Sequence, residues 1–484
     1  MNKVQKLFQN YYRMPVQVKA SMWYAACNVL QKGMSFVTVP IYIRMLTVSE
    51  YGRYVTFLSW KDIVMIFATF NLFYGVYTKY IIDHEKDRDG YTSCMQCLCT
   101  LLTAAAFIVY MLMHKFWNNL FAADIKLMLL VFMYCLFTPA YSFWLARQRA
   151  EYNYVRMVFV SLIVILGVPV SSLCLLYITD LRERAVIYGY LSVQLLTGFF
   201  FYVWHLVRGK MFYNREYWTS GLRFNLPLLP HYLSLLILSQ SDRIMITKFA
   251  GSDKAGIYNL AYQVSVVMNV VADAMNGALT PWVYRKLKEK NYEKLKSVPK
   301  AACIFLQIIS AAVILSAPEI VQVIGTKEYL EAVWIIPPVT ASAYFVFCYG
   351  LFCNIEFYYF RTKYVTLATF AGAGMNLILN LFFIPQAGYL AAGYTTALSY
   401  FITFSIHYLV YESLRKCCMD GNSVYDTLFI WRSCILLFAC SCIGSILYRL
   451  PAAVRYGLIL FFIAVTAMFK DKVASVISEI KTAE

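Results

Sequence analysis

Six ionisable side chains stand inside stretches that are otherwise apolar: Lys32, Lys61, Asp62, Asp242, Arg243 and Asp273. A charge at mid-bilayer depth costs about 2.5–3.5 kcal/mol on insertion scales, so such groups are expected to face a partner or a water-filled cavity. Lys32, Lys61 and Arg243 could together line a cationic cavity that holds an anion, the arginine fork being suited to paired oxygens. Asp62, Asp242 and Asp273 could carry a proton or a sodium ion, or could join the cations in salt bridges that hold the lobes together. Adjacent residues on a helix point about 100° apart. This predicts that Lys61 does not pair with Asp62, nor Asp242 with Arg243, and that each seeks another helix or solvent.

The elements that carry these residues follow from composition. Of 484 residues, 61% are apolar or aromatic and 14% are charged, whereas soluble domains average about 45–50% and about 25%. A crossing needs roughly 20 mainly apolar residues. Hydropathy and breakers predict helices at about 20–43, 54–78, 92–113, 125–146, 157–178, 185–207 and 226–249. Seven more are predicted at about 256–281, 301–324, 335–360, 364–384, 388–411, 428–448 and 452–469. The fold class is therefore all-α, a polytopic membrane protein of about fourteen spans.

The net charge of +17 lies in short segments between these runs, which points to membrane topology and away from nucleic acid. With the N-terminus inside, inner segments hold 29 Lys/Arg and outer ones 11. That bias predicts an even number of crossings with both ends cytoplasmic. Lys3, Lys6, Arg13 and Lys19 precede a run long enough to span, so the start reads as a topogenic segment without a cleaved signal. The longest polar stretch, Arg285 to Lys300 with Glu289 and Glu293, reads as a solvated or lipid-surface helix.

Helix starts at 20, 54, 92, 125, 157 and 185 recur at 226, 256, 301, 335, 364 and 388. At an offset of 204, Arg44 meets Lys248, Gly52 meets Gly256 and Tyr54 meets Tyr258. Six crossings return the chain to its starting side, so the two halves form parallel lobes with a path between them. The expected division is an N-lobe over 1–207, a cytoplasmic linker over 208–225, a C-lobe over 226–411, and a final helix pair with a tail over 412–484.

Elsewhere the residues read as structure. The 14 cysteines lack paired zinc spacing and are expected to pack as small apolar groups, with no metal and no cofactor. His84, His114, His205, His231 and His407 are scattered and read as surface or interface residues. Pro227 and Pro230 are expected to bend the seventh helix or delay its start. Gly372, Gly374, Asn376 and Asn380 suggest close helix packing more than ligand contact.

The stretch Ser316-Ala-Pro-Glu-Ile-Val-Gln-Val-Ile-Gly-Thr-Lys-Glu-Tyr-Leu-Glu-Ala332 resembles the ninth-helix exit of Wzx-type polysaccharide flippases, of the multidrug/oligosaccharidyl-lipid/polysaccharide superfamily. Asp242-Arg243, the turn Ala255-Gly256-Ile-Tyr258, and Ile384-Pro-Gln-Ala-Gly-Tyr-Leu-Ala-Ala-Gly393 resemble it too. The resemblance covers about residues 20–411. It implies export of undecaprenyl-diphosphate-linked oligosaccharides across a bacterial inner membrane by alternating access, without catalysis. The implied partners are that lipid-linked substrate, membrane lipids and the polysaccharide polymerase machinery. Lys32, Lys61 and Arg243 would then meet the diphosphate, and Trp60, Tyr358 or Tyr359 could stack on sugars. A multidrug exporter of the same superfamily is the rival reading. A membrane glycosyltransferase or polymerase is a further one, opposed by the short outer loops.

Overall fold

The computed structural model describes residues 14–83, 85–290, 292–449 and 451–468. Within them the chain is all-helical, with eighteen α-helices and no strand. Fourteen helices are long: α1 (Val16–Met45), α2 (Val48–Thr69), α4 (Arg88–Leu112), α6 (Ile125–Ala150), α7 (Tyr154–Ile178), α8 (Glu183–Gly209), α10 (Leu229–Ala250), α11 (Ser252–Lys288), α12 (Tyr292–Leu315), α14 (Ile336–Tyr358), α15 (Thr362–Ala387), α16 (Ala391–Cys418), α17 (Thr427–Leu447) and α18 (Ala452–Met468). Four are short: α3 (Val76–Asp83), α5 (His114–Phe121), α9 (Arg215–Asn225) and α13 (Ala317–Ile324). Lys3, Lys6, Arg13, His84 and the tail beyond 468 lie outside the described residues.

Among the described residues, nine helices are long and apolar enough to cross a membrane. The long helices that fall short include α1, α2 and α10, and these carry Lys32, Lys61, Asp62, Asp242 and Arg243. The same charges that mark a candidate site dilute the hydropathy of its helices.

The chain divides into two compact units, residues 1–38 with 56–233, and residues 39–55 with 234–484. The last turns of α1 and the first of α2 thus group with the later part of the chain. In the first unit α4, α6 and α7 all pack on α8. In the second, α14 packs on α11, α12, α16 and α17, and α15 packs on α16. The pairs α6–α8 and α7–α8 recur as α14–α16 and α15–α16 at the repeat spacing, and the short α5 after α4 recurs as α13 after α12.

Several boundaries differ from the hydropathy reading. The second helix stops at Thr69 rather than near 78, because Phe70, Asn71 and Gly75 adopt left-handed backbone angles and turn the chain into α3. The ninth predicted span begins at Tyr292 and breaks at Ser316, so Pro318 sits at the start of the separate α13. The basic stretch 285–300 is therefore not a free helix. It is the end of α11 and the start of α12. The expected linker 208–225 contains α9, which packs on α4 and α3. Pro227 lies in a 3-10 turn, Leu226–Leu228, that joins α9 to α10, and Pro230 is the second residue of α10. The seventh span accordingly starts a few residues late, where a proline loses no hydrogen bond.

Glycine has a distinct use at two repeat-related positions. A Cβ on Gly52 would run into the Ser252 carbonyl oxygen, and one on Gly256 would sit 2.6 Å from the Val48 carbonyl oxygen. Beside them Ser49 and Ser252 hydroxyls bond at 2.6 Å. The matched glycines of the two halves lie against each other, and backbone approach this close excludes side chains.

Candidate functional site

In the first unit, Lys61 is buried on α2, 4% exposed. Its ammonium donates to Asp62 Oδ1 at 2.7 Å, Tyr190 OH at 3.0 Å and Tyr134 OH at 3.3 Å. It also lies over both tyrosine rings, 4.6 and 5.0 Å from their centres. The expectation that Lys61 and Asp62 cannot pair is thus corrected. Their Cβ directions diverge, but the four-carbon lysine stem bends back along the helix and carries the head to its neighbour. Asp62 keeps its side chain 37% exposed, so this pair has one buried and one accessible member.

In the second unit, Asp242 is completely buried on α10. Tyr258 OH donates to Oδ2 at 2.5 Å and Thr396 Oγ1 at 2.7 Å, while Asn380 Nδ2 donates to Oδ1 at 2.7 Å. Asn376 closes the group, its Oδ1 accepting from Asn380 at 3.2 Å and from Ser241 at 3.0 Å. The asparagines of α15 thus serve this carboxylate as well as helix packing. A Cβ on Gly372 would strike Thr403 of α16, as close packing requires, whereas one on Gly374 would meet nothing within 4 Å.

Arg243 is 4% exposed and has partners other than Asp242. Its Nε donates to Asn259 Oδ1 at 2.8 Å, and its Nη1 to the Ser239 carbonyl and to Gln240 Oε1. The guanidinium lies 4.2 Å from the Tyr262 ring centre. Asn259 in turn donates to Tyr51 OH at 2.7 Å. Here the prediction from helical geometry holds, because neither adjacent side chain bonds the other among the described residues. Lys32 is half-buried on α1 and Asp273 is exposed on α11. Of the predicted residues, Lys61 and Asp62 thus share a polar cluster in the first unit, and Asp242 and Arg243 each enter a polar network of the second.

The proposed sugar-stacking aromatics have protein partners. Trp60 meets Phe121 edge-on at 4.6 Å. Tyr358 packs on Tyr284 and on Tyr359, whose hydroxyl donates to the Cys418 carbonyl.

Two groups were not legible beforehand. Glu331 accepts from Lys254 at 2.8 Å and from the Tyr389 hydroxyl. Glu331 and Tyr389 belong to two separate stretches of the sequence motif and Lys254 directly precedes a third, Ala255–Tyr258, and the fold brings the three residues together in the second unit. Lys254 first, then Tyr389, holds the Glu331 carboxyl below its ordinary value by hydrogen bonding. Nearby in the motif, Glu319 takes both nitrogens of the Arg455 fork at 2.7 and 2.9 Å, tying α13 to α18.

The second group is Cys353 and Glu356 on α14 with His407 on α16. All three are buried and their ligand atoms lie within 4.8 Å of one another, which a metal ion could use. In this arrangement His407 Nδ1 bonds Glu356 Oε1 at 2.7 Å, and Tyr349 stacks on the imidazole at 5.2 Å. The reading of His407 as a surface residue near a helix end is corrected, since α16 runs on to Cys418 and encloses it. His205, likewise expected at an interface, is buried on α8.

A family model described as "Polysaccharide biosynthesis protein" matches residues 18–287, more than half of the chain. The Haemophilus influenzae "Lsg locus putative protein 1" is 27% identical over 279 residues, covering 54% of this chain and 68% of its own. The lipid II flippase MurJ, solved in an inward closed conformation, aligns with a TM-score of 0.64 over 94% of this chain and 100% of its own, at 14% identity. An inward-facing multidrug resistance MATE family transporter of the MOP superfamily aligns with a TM-score of 0.57 over 80% and 96%, at 12% identity. The structural likenesses establish a shared fold, and the family match goes further: this chain, a multi-pass membrane protein, belongs to the polysaccharide biosynthesis protein family.

Proposed function

We propose that the protein moves an undecaprenyl-diphosphate-linked oligosaccharide from the inner to the outer leaflet of a bacterial inner membrane. It does so as a transporter, by alternating access between an N-lobe over 1–207 and a C-lobe over 226–411, with both termini cytoplasmic. Family membership supports the polysaccharide context, and the fold shared with a lipid II flippase supports a lipid-linked cargo. The carrying observation is Arg243, a buried guanidinium whose hydrogen bonds among the described residues all go to neutral acceptors. Such a group retains its full charge for a diphosphate once the helices open around it. Lys32 is the second cation proposed for this role, and Lys61 is ranked below Arg243 because Asp62 already offsets its charge.

Asp242 suits a coupling role better than Asp62 or Asp273. It is enclosed by hydroxyl and amide groups whose oxygens could turn to a small cation, and it makes no salt bridge among the described residues. The polysaccharide polymerase machinery would receive the cargo outside.

The test is flipping in vesicles that hold the purified protein and a fluorescent undecaprenyl-diphosphate oligosaccharide. Arg243→Ala is expected to lower the rate at least tenfold and Lys32→Ala severalfold, at equal protein level. Undiminished flipping in both variants would overturn the reading. Transport of cationic dyes, with none of the lipid-linked sugar, would assign the chain to the multidrug class instead.

A further inference from the structure

At one end of the first unit, where α6 and α8 finish and α7 begins, lies a cavity of about 560 Å³. That is within the range that holds one small ligand. Its polar wall has an unusual balance. Arg147 is already committed, donating to Asp89 and Glu151. Arg156 and Arg208 are both exposed and have no carboxylate within 4 Å among the described residues, and Arg208 lies 4.7 Å over the Trp204 ring. Deeper in the same cavity, His205 is 4% exposed with neither ring nitrogen bonded, and Gln148 is 5% exposed with its Oε1 unbonded. Buried polar atoms normally find partners, so a donor and acceptor pair left open inside a cavity points to a polar ligand.

The rim of this cavity is apolar. Phe159, Phe200 and Trp204 line it and are 66%, 58% and 41% exposed on the unit's surface. In a membrane protein such a surface contacts acyl chains, and arginine beside tryptophan marks the depth of the headgroups. Arg147, Arg149 and Arg156 flank the loop 151–153, and Arg208, Lys210 and Arg215 flank Gly209; these are part of the basic excess that the charge bias places on the cytoplasmic side.

We propose that this cavity binds the headgroup of an anionic phospholipid from the inner leaflet. Arg156 and Arg208 hold the phosphodiester, His205 and Gln148 bond the polar headgroup behind it, and the acyl chains run along Phe159 and Phe200. The bonding is charge-assisted, and basic pockets between helices on the cytoplasmic side are suited to anionic headgroups. The site is formed by three helices of one unit and Arg243 is not among its lining residues, so the inference does not depend on the cargo proposed above.

The full-length protein in a neutral detergent would be titrated with phosphatidylglycerol or phosphatidylcholine and followed by native mass spectrometry and thermal unfolding. Phosphatidylglycerol is expected to stay bound and to raise the melting temperature, with phosphatidylcholine doing neither. The double variant Arg156→Ala/Arg208→Ala should weaken phosphatidylglycerol binding by about fivefold per arginine. Arg156→Lys/Arg208→Lys should keep much of it, which separates lost charge from misfolding. Equal retention of both lipids, or phosphatidylglycerol binding unchanged in the alanine variant with its unfolding profile intact, would overturn the proposal. One-for-one displacement by undecaprenyl diphosphate at lower concentration would overturn it too, by making this a cargo site. Neither result depends on whether the protein flips sugars.

Discussion

Lys61 in the first unit and Asp242 in the second are both enclosed charges on helices that open a half of the chain, yet they are treated in opposite ways. Lys61 is matched by the carboxylate next to it, and two tyrosines complete its hydrogen bonds. Its partner Asp62 is 37% exposed, so the charge is offset by a carboxylate that is itself accessible. Asp242 receives three hydrogen bonds from neutral groups and is completely buried. Three donors hold a carboxylate in place without cancelling its charge, and an uncompensated buried charge is expensive. The difference is that the Lys61 charge is offset by a carboxylate within the fold, while Asp242 is met only by neutral donors, and the coupling role proposed for Asp242 rests on that contrast.

The largest effect should come from Asp242. Asp242→Ala strands the donors of Tyr258, Thr396 and Asn380, and each orphaned buried donor costs about 1–3 kcal/mol. The expected outcome is a drop of several kcal/mol in stability, read as reduced folded yield and an earlier thermal transition. Asp242→Asn keeps the shape and most of the bonds but removes the charge. It should fold near normally and lose the dependence of transport on a sodium or proton gradient. Unchanged gradient dependence in Asp242→Asn would break the contrast with Lys61.

A smaller loss is expected at Lys61. Lys61→Met keeps the apolar stem and removes hydrogen bonds that, to a charged group, are worth about 1.5–3 kcal/mol. The stranded Asp62 can be solvated, so the loss should fall below that of Asp242→Ala. The double variant Lys61→Met/Asp62→Asn should be more stable than Lys61→Met alone, as a thermal-unfolding double-mutant cycle would measure. A cycle that sums with no coupling would mean that the pair is incidental, and that Lys61 remains available to a ligand like Arg243.

Much of this architecture could be read in advance because bilayer thickness fixes helix length and because hydropathy reports it directly. The fourteen long helices lie close to the predicted positions. Their ends were harder, since a break such as Phe70–Gly75 or Ser316 depends on backbone angles within a run that stays apolar. The ionisable residues were visible as exceptions to hydropathy, but their partners were not. Lys61 finds Asp62 through side-chain flexibility, which a helical wheel ignores. The Asp242 cluster draws Asn380 and Thr396 from helices more than 130 residues away, and Asn380 in isolation resembles an ordinary packing residue. The Glu331 group, whose members stand in or beside three motif segments, is recognisable only after the start of α11 and the stretches leading into α14 and α16 are placed.

That last group supplies the smallest effect and a reference for the other two, because Glu331 is ion-paired in the open. Its side chain is 53% exposed, and Lys254, then Tyr389, lowers its pKa through hydrogen bonds. A carboxyl with a depressed folded pKa adds stability above its unfolded pKa and loses that contribution as pH falls through the folded value. The gap in melting temperature between the parent and Glu331→Gln should therefore be present near neutral pH and close in acid, below the ordinary glutamate range. Solvent screening limits the interaction to about 0.2–1 kcal/mol, and added salt should shrink it further. A Glu331→Gln loss as large as that of Asp242→Ala, or a gap that widens in acid, would show that enclosure is not what separates the buried charges from the exposed one. The difference drawn between Lys61 and Asp242 would then have to rest on partner identity alone.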